Sequence, residues 1–159
     1  MDLNAQRFTW LALQLTLIRV YIGLDFTHHF AEKFGLLGHE ARAELVQYFA
    51  GLGYAHPAFM MMIGGLCEFG AFVGFTFGLF TRVAAVGTSL YLIICLFSGG
   101  HQDNGFTWAN AGGGWEFPAM WAFLCLSFVL TGGGKWSADA LIRSRLSDKS
   151  PKALKLIVA

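Results

Sequence analysis

Four apolar stretches dominate the chain, and each is long enough to predict a membrane-spanning helix. They run approximately over residues 8–30, 57–80, 83–100 and 117–133. A helix needs about 20 apolar residues to cross the hydrocarbon core of a bilayer, so this pattern predicts four spans with short connections. We therefore expect an all-α integral membrane protein built as a four-transmembrane-helix bundle.

The connection between the first two stretches has a two-sided pattern. Leu45, Phe49 and Leu52 recur at helical spacing within and just after the segment 39–51, and polar side chains occupy the rest of the helical wheel. This pattern predicts a short amphipathic helix between spans 1 and 2 on the outer side of the membrane. It would be either a simple interfacial helix or one tucked over the mouth of a pocket.

The composition supports the membrane class. The 159-residue chain is 55% hydrophobic and only 13% charged, whereas a soluble domain of this length would need more polar surface. The formal net charge is +1, and no basic stripe with interleaved aromatic residues is present. We therefore expect the lipid bilayer, and no nucleic acid, as a partner.

The distribution of Lys and Arg predicts the topology. The tail from Lys135 onward carries six Lys and Arg residues and two acidic residues. The connection 100–115 carries no Lys or Arg, and its one acidic residue is Asp103. Because Lys and Arg are retained on the cytoplasmic side, we expect both termini there. The chain is accordingly divided into a transmembrane domain at 1–134 and a basic, partly helical membrane-surface tail at 135–159.

Two residues of opposite charge lie inside predicted spans. Arg19 and Glu68 each fall about 11 residues from the outer end of their span, which places both about 16 Å deep at a rise of about 1.5 Å per residue. An unpaired charge there costs about 2.5–3.5 kcal/mol, so we expect the two to pair. The pair would either fix the helix register or face a ligand.

Polar residues on the outer side of this pair predict a pocket. On the first helix Arg19, His29 and Lys33 share a face, Asp25 lies one turn below His29, and His28 points away, so we favour His29 over His28. Three further candidates, each also explicable by helix packing or helix capping, are Tyr91, His101 and Glu116.

The positions of the glycines and cysteines add to the picture of the predicted pocket. Gly64 and Gly65 precede Glu68 and would let another backbone or a ligand approach closely. A separate glycine face, typical of helix packing, is formed by Gly70, Gly74 and Gly78. The three cysteines occur singly, with no C-x-x-C pair, and the histidines lack the spacing of metal ligands, so we predict neither disulfide exchange nor a metal site.

Several short motifs resemble those of a known family. They are RVYIGLDFTHHFAEK at 19–33, GLCEFG around Glu68, GLFTRVAA around Arg82, GGGWEFP around Glu116, and GGGKWSADALI at the end of the last helix. In this order, from residue 18 to residue 142, they resemble the DoxX family of bacterial four-helix membrane proteins. The resemblance implies a multi-pass protein of a bacterial or archaeal cytoplasmic (inner) membrane.

The resemblance also implies a set of polar positions and a link to quinones. The family's recurrent polar positions correspond to Arg19, His29, Lys33, Glu68, Arg82 and Glu116. Asp25 and His28 stand where apolar or aromatic residues are more usual, which leaves room for a specialised site. The implied activity is that of a terminal quinol oxidase or another quinone-linked protein.

A quinone or quinol suits the predicted pocket. Its head group has two carbonyls that accept hydrogen bonds and take up protons on reduction, so a histidine and a cation at one end of an apolar cavity match it. In this hypothesis the catalytic residues are His29, Lys33 and Glu116. The ligand-binding residues are Arg19, Asp25, Glu68, Tyr91 and His101.

No haem, flavin or iron–sulfur motif is present, so the electrons would come from a partner subunit or a soluble donor. The chain would then be a subunit linked to an oxidoreductase or respiratory complex. Two alternatives remain: a non-catalytic membrane anchor or assembly subunit of a larger complex, and a small-molecule transporter. The glycine faces also allow a homo-oligomer.

Overall fold

A computed structural model describes residues 3–39, 43–147 and 150–158. These residues form seven α-helices and no β-strand, which confirms the predicted all-α class. In chain order the helices are α1 (Leu3–Phe34), α2 (Ala43–Gly51), α3 (Pro57–Phe77), α4 (Thr81–Ser98), α5 (Glu116–Thr131), α6 (Ala138–Arg145) and α7 (Lys152–Ile157).

The four longest helices share one core. Helix α1 packs along α3, α3 along α4, and α4 along α5. Tyr21 of α1 stacks on Trp121 of α5 with ring centroids 6.2 Å apart, which brings the first and last of these helices together. The buried core residues come from all four helices: Ile22, Phe26, Ala71, Phe75, Ala85, Trp121, Cys125 and Phe128.

The outer faces of these helices are apolar. Helices α3 and α4 are each long and apolar enough to cross a bilayer, and α5 is apolar but only 16 residues long. Large hydrophobic side chains point outward, among them Phe123 at 77% and Leu130 at 82% exposure. Soluble monomers rarely expose contiguous apolar surface of this kind. The exposed surface therefore supports a membrane environment.

Arg19 does not pair with Glu68, so that prediction was wrong. The Arg19 guanidinium is buried and donates hydrogen bonds through Nη1 to the carbonyl oxygens of Phe75 and Thr76, the latter at 3.0 Å, and through Nη2 to that of Trp136 at 2.8 Å. These acceptors include the last carbonyls of α3, where the helix dipole is negative.

The pairing failed because α1 is longer than its apolar stretch. The helix runs to Phe34, so Arg19 is further from its outer end than the apolar pattern indicated. A methyl group added at Gly23 would lie 2.4 Å from the backbone nitrogen of Thr76, which fixes the register of α1 against α3. In that register Arg19 lies at the end of α3, well below Glu68.

A carboxylate of the tail caps α4. Gly78 has a left-handed backbone (φ +64°) that ends α3, and Phe80 is also left-handed (φ +48°). The N–H groups of Phe80 and Thr81 donate to Asp139 Oδ1 and Oδ2 at 2.7 and 2.8 Å. Because the first N–H groups of a helix lack intrahelical acceptors, the buried Asp139 satisfies two of them and holds the tail against the bundle.

The three glycines of the predicted packing face serve different purposes. A methyl group at Gly74 would lie 2.3 Å from Ala84 Cβ, so this glycine permits close packing of α3 on α4. Gly78 forms the turn, whereas nothing lies within 4 Å of a methyl group at Gly70. Of these three glycines, Gly74 is the one that acts in helix packing inside the bundle.

The predicted amphipathic helix is present as α2, and it contacts α3. It has no buried residue, but Phe49 and Leu52, at and just after its end, line a cavity between α2, α3 and α4. This matches the interpretation of a helix placed over a pocket mouth. The described part of the tail forms α6 and α7, which are joined by a hydrogen bond from Arg143 Nη1 to the Val158 carbonyl at 3.2 Å.

Candidate functional site

The buried carboxylate of Glu68 is held by a lysine and a tyrosine. Glu68 Oε1 accepts from Lys33 Nζ at 2.8 Å and from Tyr91 Oη at 2.7 Å. The ion pair is well shielded, because the Lys33 and Glu68 side chains are only 11% and 5% exposed. Gly64 and Gly65 make room for it, since a methyl group at Gly65 would lie 2.8 Å from the Phe34 ring and 3.3 Å from Lys33 Cβ.

Glu68 and Tyr91 also line a cavity of about 260 Å³ between α1, α3, α4 and α5, which we call the central cavity. Its polar lining consists of Asp25, His29, Glu68, Tyr91, Cys95 and His101. Its apolar and aromatic lining consists of Phe26, Leu92, Trp108, Phe117, Pro118 and Trp121. A few polar groups in an otherwise apolar cavity are typical of small-molecule sites.

Two side chains of the central cavity carry buried polar atoms without a partner. Within the described part of the chain, neither Glu68 Oε2 nor Trp121 Nε1 has a hydrogen-bond partner. Buried polar groups are almost always satisfied, so each such atom needs an explanation. Both residues line the central cavity, and these two atoms are one acceptor and one donor that the described part of the chain leaves unpaired.

The preference for His29 over His28 agrees with the lining of the cavity, but the prediction that the two side chains point apart does not hold. His29 is half-buried and lines the central cavity, whereas His28 is exposed and does not. The two rings are nonetheless close, with centroids 3.9 Å apart. Asp25, one turn earlier on α1, reaches the same cavity.

The loop between α4 and α5 lines one end of the cavity. His101 Nδ1 lies 2.8 Å from the Gly113 carbonyl. Because a carbonyl only accepts, Nδ1 carries a proton, which leaves Nε2 as the acceptor of a neutral ring. His101 also packs against Trp108 with ring centroids 5.4 Å apart, and Trp108 packs against Phe117 at 5.1 Å.

Glu116 supports this loop from outside the cavity. It is exposed and its Oε2 accepts from the backbone N–H of Trp108 at 3.1 Å. The residue also starts α5, as expected. Glu116 does not line the central cavity, so the geometry gives it a positioning role through Trp108.

A second cavity of about 320 Å³ lies beneath α2. It shares Tyr91, Cys95 and His101 with the central cavity and is otherwise mostly apolar, with Tyr48, Phe49 and Leu52 on the α2 side. Burial raises the pKa of Tyr48 above its ordinary value, and the nearby Cys95 and Tyr54 add to that shift. The Tyr48 hydroxyl therefore stays protonated at neutral pH.

The structure brings together five of the eight predicted site residues. Asp25, His29, Glu68, Tyr91 and His101 line one cavity. Lys33 adjoins it through Glu68, whereas Glu116 lies outside it and Arg19 lies at the other end of α3.

Sequence reasoning missed two tryptophans of the site. Trp121 and Trp108 both line the central cavity. The position of Trp121 shortly after Pro118, on the face of α5 that continues to Cys125 and Phe128, is the only sequence signal that could have indicated it. For Trp108, which belongs to an irregular loop, no periodic pattern is available.

Comparison with protein families gives one clear result. The DoxX family model matches residues 14–101, more than half of the 159-residue chain. The matched segment contains most of α1, all of α2, α3 and α4, and the central-cavity residues from Asp25 to His101. Comparisons with curated proteins and with solved structures found no match. The chain is therefore a membrane protein that belongs to the DoxX family.

Proposed function

We propose that this protein binds a quinone or quinol in the central cavity, as a membrane subunit linked to an oxidoreductase. The observation that supports the proposal best is the combination of an apolar, aromatic cavity with two unpartnered buried polar atoms, Glu68 Oε2 and Trp121 Nε1. A quinone head group is a flat apolar ring with acceptors at opposite edges, and the corresponding quinol carries donors there.

The residues present fit such a ligand. The Trp121 indole N–H is a donor that suits a quinone carbonyl, and the His29 ring supplies a second donor when its cavity-facing nitrogen is protonated. The Glu68 carboxylate suits the hydroxyl of a quinol, because it has one oxygen to spare. Lys33 and Tyr91 hold the other oxygen and so keep the carboxylate in place.

A bound quinone would supply two-electron, two-proton chemistry, and the chain's own residues would handle the protons. His29 and Glu68 line the same cavity, and His101 lies at its loop-covered outer end. These three titratable groups form a short route between the cavity and the outer loop. The electrons would be exchanged with a partner protein that carries its own redox group.

A fluorescence titration tests quinone binding. Trp121 and Trp108 line the cavity, so a short-chain ubiquinone or menaquinone analogue should quench the fluorescence of the purified protein in detergent with a saturable dependence on concentration. Loss of one hydrogen bond by His29→Ala should weaken the apparent affinity about tenfold. Trp121→Phe should remove a large part of the quenched signal.

His28→Ala is the matched control, because it removes the neighbouring exposed imidazole outside the cavity. It should bind the analogue as the unmodified protein does. Quenching that does not saturate, or that is equally weak in His28→Ala and His29→Ala, contradicts the proposal.

The anchor alternative also has an observation in its favour. A groove of about 410 Å³ runs between α3 and α4, and its glycines Gly70 and Gly87 have nothing within 4 Å of an added methyl group. Small residues at an open helix face let another helix pack closely. Affinity purification in native lipid tests this alternative. A partner protein that co-purifies with the unmodified chain but not with Gly87→Leu, while quinone binding is unchanged, would favour the anchor.

A further inference from the structure

An open groove lies at the end of the bundle that carries the tail. It has a volume of about 590 Å³, lies between α4, α5 and α7, and is lined by Arg82, Val83, Val86, Val129, Leu156 and Ile157, together with Gly87. We call it the tail groove. Its lining combines a single cation, close to the start of α4, with apolar side chains.

The cation of the tail groove is poorly satisfied by the protein. Arg82 Nε is buried and has no hydrogen-bond partner in the described part of the chain, and Nη2 reaches the Leu130 carbonyl only at 3.5 Å. That distance is at the limit for a hydrogen bond. The nearby Arg19, by contrast, donates to three carbonyl oxygens. Within the described residues, the fold thus gives Arg19 three carbonyl acceptors, whereas Arg82 has one at the distance limit.

The tail that supplies one wall of the groove is basic in composition. The segment from Lys135 to the end carries six Lys and Arg residues against two acidic ones. One of these two, Asp139, is buried and accepts from the backbone at the start of α4. Helix α7 brings Leu156 and Ile157 to the groove within the stretch that also contains Lys152 and Lys155. A guest with a negative head and an apolar body complements this arrangement.

We propose that the tail groove binds an anionic phospholipid. The phosphate group would pair with the Arg82 guanidinium, and an acyl chain would lie along Val83, Val86 and Val129, which face the apolar exterior of the bundle. Basic pockets beside membrane-spanning helices are suited to anionic lipid head groups. The lipid would also cover Leu156 and Ile157 and so hold α7 against α4. This site is separate from the central cavity and does not depend on what that cavity binds.

Thermal unfolding in detergent tests the proposal. The midpoint of unfolding is measured while phosphatidylglycerol is added, with phosphatidylcholine and inorganic phosphate as separate series. We expect a saturable rise with phosphatidylglycerol and none with the other two. Arg82→Gln should raise the lipid concentration needed for half of the effect by more than tenfold.

Arg145→Gln is the matched control, because it removes the same charge from an exposed position on α6. General attraction by the basic tail predicts a change of about fivefold for either arginine, since one basic residue near an anionic surface contributes about 1 kcal/mol. Equal effects of the two variants therefore overturn the proposal. A rise with inorganic phosphate alone also overturns it, as the mark of a free-anion site.

Val86→Phe keeps the charge of Arg82 and narrows the groove. It provides a second test of lipid binding if the Arg82→Gln variant does not fold. Val86 is 43% exposed, so the fold should tolerate the larger side chain. The variant should unfold at the same temperature as the unmodified protein without lipid, and its rise with phosphatidylglycerol should fall by at least half. An undiminished rise contradicts the placement of the acyl chain.

Discussion

At the scale of single residues, the site depends on which cation neutralises Glu68. The partner is Lys33, in the last turn of α1, and Tyr91 adds a hydrogen bond to the same oxygen. A carboxylate that is 5% exposed needs such partners, because burying an isolated charge is very costly. The other oxygen of Glu68 has no hydrogen-bond partner within the described part of the chain.

Removing only the lysine should destabilise the protein more than removing the whole ion pair. Lys33→Met leaves a buried carboxylate with one neutral partner, for which we expect a loss of about 3–5 kcal/mol in the free energy of unfolding. The double variant Lys33→Met with Glu68→Leu should lose less, since a buried pair replaced by apolar residues is often nearly neutral.

Chemical denaturation in mixed micelles measures this difference, with the exposed Lys135→Met as the control. A double variant that is as unstable as the sum of its two single variants would show that Lys33 and Glu68 do not act as a pair.

The sequence predicted the polar residues of the site better than their partners. Helical periodicity singled out His29 on the polar face of α1, with Asp25 one turn away, and gave Tyr91 as a further candidate; all three line the central cavity. The sequence pattern predicted an ion pair between Glu68 and Arg19, because the depth of each residue in the membrane was measured from the ends of the apolar stretches. The polar last turn of α1, which carries Glu32 and Lys33, belongs to the helix but not to the apolar pattern. The register between two helices is set by contacts such as that of Gly23 with Thr76. The hydrophobic periodicity of a helix does not show which residues of another helix it will contact.

At the scale of helices and turns, two features hold the bundle together: the close packing of α3 on α4, and the capping of α4 by a residue that is distant in the chain. Gly74 lets α4 touch α3, and Asp139 caps α4 from the tail. The four apolar stretches predicted the long helices to within a few residues, with α1 as the exception. The cap could not be predicted, because Asp139 lies 58 residues from Thr81 in the chain.

Substitution at two glycines of α3 should have opposite effects. Gly74→Ala places a methyl group 2.3 Å from Ala84 Cβ, so the helices must separate, and we expect a loss of about 1–3 kcal/mol. Gly70→Ala meets nothing within 4 Å and should be neutral or stabilise α3 by up to about 1 kcal/mol. Unfolding midpoints of the two variants measure the difference, and equal midpoints would contradict the packing role of Gly74.

Loss of the long-range cap should loosen the tail. Asp139→Ala removes the acceptor of two buried N–H groups, and we expect a loss of about 2 kcal/mol or more. Proteolysis between α5 and α6 should become faster, because Asp139 no longer ties that segment to α4. The exposed Asp103→Ala should change neither property. Unchanged proteolysis of Asp139→Ala would mean that the remaining bonds, from Arg19 to the Trp136 carbonyl and from the backbone N–H of residue 139 to the Gly78 carbonyl, hold the segment.

At the scale of the whole molecule, four helices enclose a core and a cavity, and their outward faces are apolar. Two of the four pass the length and hydropathy requirements for a span. We predict that all four cross the membrane, with both termini in the cytoplasm, because the basic residues concentrate in the tail. The exposed apolar side chains on α1 and α5, such as Leu24 and Phe123, are suited to contact with lipid.

Labelling of single introduced cysteines in intact cells tests this topology. Gln102→Cys lies in the exposed loop between α4 and α5, and Arg145→Cys lies on α6. A membrane-impermeant maleimide should label the loop cysteine before lysis and the α6 cysteine only afterwards. Labelling of both positions in intact cells would rule out a cytoplasmic tail.

If the central cavity holds a quinone, the protein should retain that quinone when it is taken from its own membrane. The protein is extracted in polymer-bounded native nanodiscs, and quinone per protein chain is quantified after solvent extraction against nanodiscs of an unrelated membrane protein. We predict a quinone enrichment in the unmodified protein and in His28→Ala, and its loss in His29→Ala and Glu68→Leu. A quinone content equal to that of the unrelated protein, or unaffected by His29→Ala and Glu68→Leu, would contradict the account.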